Sequence, residues 1–259
     1  MRCGSGAVGE AAIRAGRIQD PAAVGGALRQ LLARTEITQT RAFVAVSDTL
    51  ATFRVLRSPA GSTDNEITAL VSAEVQLDPE RIATRWTVVG HIGNQPLVYA
   101  VAWDRRVIRG IVDATRAAGV EAAVIDLRSA CLARVAVEPS CVIVDLSSSP
   151  FDMVLVDGYI PQVWHGVERR ADSTVDLASL DAPLRELLRY YRSRHDGAFP
   201  AVAPVLVSAE QQVQDGELAA LSHAIGHPAA VLPAPARIPS HVRHSSYLAC
   251  IGLMMRRGE

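Results

Sequence analysis

The stretch VIVDLSSSPFDMVLVDG, residues 142–158, decides the fold prediction. An apolar run ends in Asp145, small hydroxyl residues follow, and a second apolar run leads to an Asp-Gly pair. This pattern predicts a buried strand over residues 140–146 and its hairpin partner over residues 151–156. A polar turn after a buried strand can aim backbone N–H groups at a phosphate, and a carboxylate there can hold a metal-bound water. The turn is therefore the first candidate for chemistry.

Around this hairpin, the periodicity of apolar residues predicts an α/β chain. The predicted helices cover residues 22–33, 66–75, 104–118, 129–134, 180–194, 217–225 and 247–255. The predicted strands outside the hairpin cover residues 41–46, 51–56, 85–91, 96–102, 122–125, 159–165, 204–207 and 230–232. Asp20 and Ser62 are the predicted N-caps of the first two helices, and Gly119 is the residue that ends the third. Residues 1–20 show only weak patterning.

Length and composition indicate an ordinary globular protein with one large domain or two modest ones. The chain has 259 residues, of which 49% are hydrophobic and 20% charged. The formal net charge of −1 gives no reason to expect a nucleic-acid partner. All 26 basic side chains are arginine. The absence of lysine excludes a phosphate-loop lysine and a Schiff-base lysine from the chemistry of this chain.

The cysteine spacing and the apolar runs predict a cytoplasmic location. The four cysteines fit neither a zinc site nor a compact disulfide framework. No run is long and apolar enough to span a bilayer, and residues 1–16 lack the apolar core of a signal peptide. We therefore expect a cytoplasmic protein that reaches the inner membrane, if at all, through a partner.

A longer set of motifs resembles the PilM-like proteins of type IV pilus assembly, in the FtsA and PilM branch of the actin-like ATPase superfamily. The resemblance begins with GRIQDPAAVGGALRQLL (16–32) and covers nearly all of the chain after it. The further pieces, in the family's order, are FVAV (43–46), EITALVSAE (66–74), LVYAVAWDRRVI (97–108), AAGVEAAVIDLRSACLAR (117–134), VIVDL (142–146) and SYLACIGL (246–253). No single piece is diagnostic, but their order is specific.

The resemblance implies an α/β, actin-like fold of two ribonuclease-H-like lobes. Residues 1–53 and 127–139 would form the first lobe, which is incomplete because the family's opening hairpin is missing, so the fold is expected to be N-terminally truncated. Residues 54–126 would form a small inserted α+β subdomain, and residues 140–259 the second lobe. The cell-division protein FtsA is the second family candidate.

Three nucleotide-binding elements of the family depart from its pattern. The first phosphate loop, D-I-G-x-S-x-x-K, has no counterpart. In the second loop, Ser147 takes the place of the glycine of D-I-G, and a Cβ there hinders close phosphate approach. The Gly-Gly pair of the adenosine region is replaced by residues 208–210, Ser-Ala-Glu. These departures indicate a degenerate ATPase fold, more a pseudo-ATPase than an enzyme.

Two interpretations of the degenerate site stay open at this point. In the first, the chain is a scaffold that retains the fold without a cofactor. In the second, it binds ATP and magnesium weakly through a remnant phosphate loop made of Asp145, Ser147, Ser148 and Ser149. Neither interpretation assigns a catalytic residue or a metal ligand. The histidine pairs 223/227 and 241/244 lack a third ligand and are expected to be surface residues.

The resemblance also implies a partner. PilM-like proteins hold the short cytoplasmic N-terminal peptide of the membrane protein PilN in a groove made partly by the inserted subdomain. An extended peptide in such a groove gains affinity from main-chain pairing and specificity from side-chain pockets. The expected function is thus a cytoplasmic scaffold of type IV pilus or secretion machinery that binds a PilN-like peptide without hydrolysing ATP. The alternatives are an ATP-binding actin-like ATPase and an FtsA-like division protein.

Overall fold

A computed structural model describes residues 4–75, 78, 80–147, 150–168, 176–195, 198–235, 238–239 and 244–256. The chain divides into two compact units, residues 1–127 and residues 128–259. Each helix and strand predicted from the sequence has a counterpart, with ends shifted by no more than three residues. The lobe boundaries expected from the resemblance stay a prediction.

The first unit combines three small sheets with three α-helices. Its elements are β1 (Ile13–Arg14), β2 (Arg17–Ile18), α1 (Pro21–Arg34), β3 (Arg41–Val46), β4 (Ala51–Arg57), α2 (Asp64–Val75), β5 (Ile82–Ile92), β6 (Gln95–Asp104), α3 (Arg105–Ala117) and β7 (Glu121–Leu127). The hairpin of β1 and β2 was missed by the sequence analysis. Its turn places Ala15 and Gly16 at φ values of 48° and 73°. Of these two residues, only the glycine indicates a turn of this kind in the sequence.

A parallel pair of strands, β3 and β7, forms one of the sheets, and helices α1 and α3 pack against each other beside it. Asp20 caps α1 as predicted, because its carboxylate accepts hydrogen bonds from the N–H groups of Ala22 and Ala23. Gly25 allows the two helices to approach closely, since a Cβ at that position would be 2.5 Å from the Cβ of Ala117. Gly119 ends α3 at φ 82°, as predicted.

Strands β4, β6 and β5 form an antiparallel sheet in that order, and α2 covers one of its faces. The core between helix and sheet consists of Ile67, Val71, Val98 and Ala100. Strand β7 lies in a different sheet, where it pairs with β3. Sequence order predicts that strands exist, whereas the partner of each strand is set by long-range packing.

The predicted N-cap of α2 is also corrected. Thr63, and not Ser62, caps this helix: the hydroxyl of Thr63 accepts from the N–H of Glu66, and the carboxylate of Glu66 accepts from the N–H of Thr63 at 2.7 Å. The Ser62 hydroxyl instead donates to the carbonyl of Pro59. The Glu66 carboxylate accepts hydrogen bonds from the backbone N–H of Thr63, the larger cause, and from the Thr63 hydroxyl, and these two bonds hold the pKa of Glu66 below its ordinary value.

The second unit is a five-stranded mixed sheet with helices on both faces. Its elements are α4 (Arg128–Arg134), β8 (Cys141–Asp145), β9 (Phe151–Asp157), β10 (Ile160–Val167), α5 (Asp181–Arg194), β11 (Val205–Ser208), α6 (Asp215–Ile225), β12 (Ala229–Val231) and α7 (Leu248–Met254). The strand order is β10-β9-β8-β11-β12, with β8, β11 and β12 parallel and the other pairs antiparallel. Strand β8 therefore lies at the centre of the sheet.

The apolar run of β8 is buried on both faces because the sheet separates two hydrophobic cores. Val142 and Val144 belong to the core that includes residues of α5 and α6. Cys141 and Ile143 belong to the core that includes residues of α4 and α7. Such double burial is typical of central strands in sheets with helices on both sides. Among the described residues, no helix is long and apolar enough to cross a membrane.

Candidate functional site

Asp145 ends the central strand β8 and has almost no solvent exposure. It lies directly opposite Asp152 of β9 in the antiparallel register, and Asp152 is also buried. Two ionised carboxylates in directly opposite positions repel each other, and burial makes each charge expensive to hold. A positive group between them is therefore required for both to stay charged.

Arg128, the first residue of α4, supplies that positive group. Its Nη2 atom donates to Oδ2 of Asp145 at 2.6 Å, and its Nε atom lies 2.6 Å from Oδ2 of Asp152. The indole N–H of Trp164 donates to the second oxygen of Asp152 at 2.8 Å. The guanidinium side chain thus bridges two strands of the sheet: it donates a hydrogen bond to Asp145 and forms an ion pair with Asp152, which accepts its hydrogen bond from Trp164.

Ser147 turns back toward Asp145. Its N–H and its hydroxyl both donate to Oδ1 of Asp145, at 3.1 and 2.6 Å. The hydroxyl proposed for the remnant phosphate loop is therefore used within the protein. The two other residues of that loop, Ser148 and Ser149, lie outside the described residues, so the loop as a whole stays a prediction.

Strand β11 brings Ser208 beside Asp145. The two residues are parallel neighbours in the sheet, and the N–H of Leu146 donates to the carbonyl of Ser208 at 2.8 Å. The Ser208 hydroxyl is buried and has no hydrogen-bond partner within the part of the chain that the structure describes. Ser208 lies at the carboxyl ends of parallel strands, the edge at which α/β proteins bind ligands.

The described residues of this site do not fit a magnesium-bound nucleotide. Magnesium in nucleotide sites is bound through carboxylates, water and phosphate oxygens. Both oxygens of Asp145 are instead engaged by protein donors, one of them the Arg128 guanidinium. Sequence reasoning identified Asp145 and considered a carboxylate pair with Asp152 or Asp157, of which the structure brings Asp152 opposite Asp145. It missed Arg128 and Trp164, and Arg128 carried no signal in the sequence.

The histidines do not form a shared metal site in the described ranges. Helix α6 ends at Ile225 and Gly226 follows at φ 73°, so His223 and His227 do not share a helical face. The Nδ1 atom of His227 lies 3.1 Å from the carbonyl of Ala203. His241 lies outside the described residues. Within those ranges, no three His, Cys, Asp or Glu side chains come together as metal ligands.

A second candidate site is the face of the β4-β6-β5 sheet opposite α2. The strand registers place Phe53, Val55, Leu97, Tyr99, Val101 and Trp103 on this face, which we call the aromatic face. All six side chains are partly exposed. The rings of Phe53 and Tyr99 lie 5.6 Å apart. Sequence reasoning named none of these residues, although the alternation of small and large side chains along β6 marks two different faces.

Basic side chains border the aromatic face. Arg57 lies at the end of β4 and Arg85 on β5, both exposed and both on the same face as the aromatic residues. Along strands β4, β5 and β6 this face carries no acidic side chain. The surface is therefore apolar at its centre and positive at its border.

Comparison with known proteins gives relatives in structure but not in sequence. No protein-family model matches the chain, and no match was found among curated proteins. The chain is similar to a solved structure of the PilM-PilN type IV pilus biogenesis complex, with 20% identity, a TM-score of 0.69, and coverage of 95% of this chain and 88% of that one. It is also similar to the cytoplasmic domain of EpsL, an inner-membrane component of the type II secretion system of Vibrio cholerae, with 12% identity, a TM-score of 0.53, and coverage of 90% and 82%. The chain therefore has the actin-like α/β fold that it shares with PilM.

Proposed function

We propose that this chain is a PilM-like cytoplasmic scaffold of type IV pilus or secretion machinery. In this proposal it binds the N-terminal cytoplasmic peptide of a PilN-like inner-membrane protein and does not hydrolyse ATP. It stays peripheral to the membrane and has no nucleic-acid partner. The fold supports the proposal, since both structural relatives named above come from secretion or pilus machines. Fold alone does not assign a function, so the sites must carry the proposal.

The aromatic face is the feature that best supports peptide binding. Aromatic side chains supply a large contact area at low entropic cost, and they are the residue types that dominate binding energy at interfaces. Phe53, Tyr99 and Trp103 bring three such groups onto one side of a three-stranded sheet. Strand β4 is an edge strand of that sheet, so an extended peptide can pair with its main chain while apolar side chains contact the face. Arg57 and Arg85 would favour a peptide with acidic residues beside its apolar anchors.

The engagement of Asp145 supports the nucleotide-free part of the proposal. A phosphate cage for ATP needs free backbone donors, a metal ion held by oxygen ligands and usually a lysine. Here Arg128 and Ser147 hold the Asp145 carboxylate, and the chain contains no lysine. An ATPase would have to break this buried network before it could bind its cofactor.

Calorimetric titration with the N-terminal cytoplasmic peptide of a PilN-like protein tests the binding proposal. We expect saturable heat with a Kd on the order of micromolar. Phe53→Ser should weaken binding roughly tenfold or more, because it removes a central aromatic contact. Ala73→Ser on the exposed side of α2 is the matched control and should bind like the parent. No saturation with the parent, or equal affinities for both variants, would contradict the proposal.

Thermal unfolding with and without Mg-ATP tests the nucleotide-free part separately. A ligand that binds only the native state raises the unfolding temperature by mass action. We expect no shift at millimolar Mg-ATP and no phosphate release above background. A stabilisation of several degrees would favour the ATP-binding alternative.

A further inference from the structure

We propose that Asp145 and Asp152 form a cation-binding pair whose resident cation is the guanidinium group of Arg128. The inference deepens the nucleotide-free part of the proposed function and is independent of peptide binding.

The register of the sheet creates the need for a cation. Asp145 and Asp152 are cross-strand neighbours, so their Cβ atoms lie about 5 Å apart. Their side chains are 1% and 7% exposed, which leaves water little access to screen the repulsion. Two buried like charges at this distance are stable only when an opposite charge or a proton joins them.

The geometry of Arg128 meets that need. One guanidinium group contacts both carboxylates at 2.6 Å through two different nitrogen atoms, a two-point contact that suits the planar fork of arginine. The side chain of Arg128 is itself only one-quarter exposed. Its backbone is fixed because it begins α4, a helix that packs on β9, β10 and α7.

Neutral donors offset the remaining charge of the cluster. Two carboxylates and one guanidinium leave one negative charge in excess. Trp164 donates one hydrogen bond to Asp152, and Ser147 donates two to Asp145. Each carboxylate therefore has one oxygen held by the cation and the other held by neutral N–H or O–H groups. Among the described residues, every carboxylate oxygen of this pair therefore has a partner.

Removal of the guanidinium should convert the pair into a site for a divalent metal ion. Carboxylate oxygens are hard ligands of the kind that Mg²⁺ and Mn²⁺ prefer, and the cluster would then carry two negative charges. Arg128→Met keeps an apolar stem in the site and deletes the charge. We expect this variant to unfold roughly 5 °C or more below the parent, because it leaves two buried carboxylates unpaired.

Thermal unfolding of the full chain in millimolar MnCl₂ and MgCl₂, at matched ionic strength, tests the assignment. Divalent ions should raise the unfolding temperature of Arg128→Met and leave the parent unchanged. Adding Asp152→Asn to Arg128→Met should recover most of the lost stability and abolish the metal response, which keeps the test decisive when the single variant folds poorly. Arg189→Met removes an exposed arginine from α5 and controls for the general effect of an arginine-to-methionine substitution on the unfolding temperature.

Each outcome supports or overturns the assignment. An Arg128→Met variant as stable as the parent, or one that neither Mn²⁺ nor Asp152→Asn rescues, overturns it. Stabilisation of the parent by Mg-ATP that is lost in Arg128→Met would make Arg128 a nucleotide ligand and also overturns it. Absence of peptide binding by the parent would contradict the proposed scaffold function alone, because the stability series does not involve the peptide.

Discussion

Gly252 in the terminal helix α7 lies directly against the main-chain carbonyl group of Cys131 in α4. A Cβ atom at position 252 would be only 1.8 Å from that carbonyl oxygen. The two helices therefore touch through backbone atoms, with no side chain between them at this point. Because Cys131 and its neighbours in α4 are buried, neither helix can move aside without opening the core.

The first prediction follows from this contact. Gly252→Ala should lower the free energy of unfolding by more than about 2 kcal/mol, because the added methyl group overpacks a site bounded by backbone. Chemical denaturation measures the change. Gly26→Ala is the matched control: this glycine also lies within a helix, α1, but has open space around its Cβ position. The control should gain about 0.5–1 kcal/mol. Equal effects of both substitutions would show that the close contact is absent in solution.

The turn between β9 and β10 gives the second prediction. Gly158 and Tyr159 are its two central residues, at φ values of 62° and 63°. The left-handed conformation is unfavourable for tyrosine and tolerated by asparagine. Tyr159→Asn should therefore stabilise the protein by about 0.5–1 kcal/mol, and Gly158→Ala should destabilise it by about 1 kcal/mol. Urea unfolding midpoints that move in the opposite directions would contradict this account of the turn.

Sequence patterns predicted the elements of this fold well because they are local. The apolar run of residues 140–146 and the following hairpin could be identified from four or more consecutive residues. The predictions that Asp20 caps α1 and that Gly119 ends α3 were correct for the same reason. Ser62 was a wrong choice of N-cap although the Thr-x-x-Glu signature of the capping box begins one residue later.

Strand partners and the candidate site were harder to predict because they depend on distant contacts. β7 pairs with β3 and not with the strands nearer in sequence. Asp145 could be singled out because it ends a buried strand. Arg128 lies 17 residues before it and, to a pattern search, resembles any other basic residue at a helix start. The opposition of Asp145 and Asp152 becomes visible only when the hairpin register is known.

The third prediction concerns the reactivity of two cysteines. Burial, with a smaller contribution from the negative charge of Glu138, raises the pKa of the Cys141 thiol to about 12. Cys250 is exposed. Because the thiolate is the reactive form, iodoacetamide should modify Cys250 in the native protein and Cys141 only after unfolding. Mass spectrometry of proteolytic fragments measures both. Modification of Cys141 at the same rate as Cys250 under native conditions would show that β8 is less buried than described.

The fourth prediction is a dependence of stability on pH that comes from Asp104. This carboxylate caps α3 by accepting from the N–H of Arg106, and that bond is the main cause of its lowered pKa. Burial opposes the shift, and Arg81 and Arg17 strengthen it. Since the pKa is lower in the folded state than in the unfolded state, this stabilisation is full at neutral pH. It is lost as the pH falls through the folded-state pKa.

Asp104→Asn isolates the charge, because asparagine can still cap the helix. We expect the variant to be less stable than the parent at neutral pH, with a difference that shrinks as the solution is acidified. Denaturation curves at several pH values measure it. A difference that stays constant down to acid pH would show that the charge of Asp104 does not contribute. Asp113→Asn, on the same helix with a side chain that is 44% exposed, is the control and should follow the parent more closely.

The parallel pair of β3 and β7 has a consequence for the order in which the first unit folds. The two strands are separated in the chain by residues 47–120, so their pairing must close a long loop. The hairpin of β5 and β6, joined by only Gly93 and Asn94, closes with very little loss of chain entropy and can form on a microsecond timescale. Once that hairpin and α2 are in place, the ends of the long loop are held closer together. The β5–β6 hairpin with α2 is therefore expected to nucleate the first unit, and the β3–β7 pair to be the last part of it to assemble.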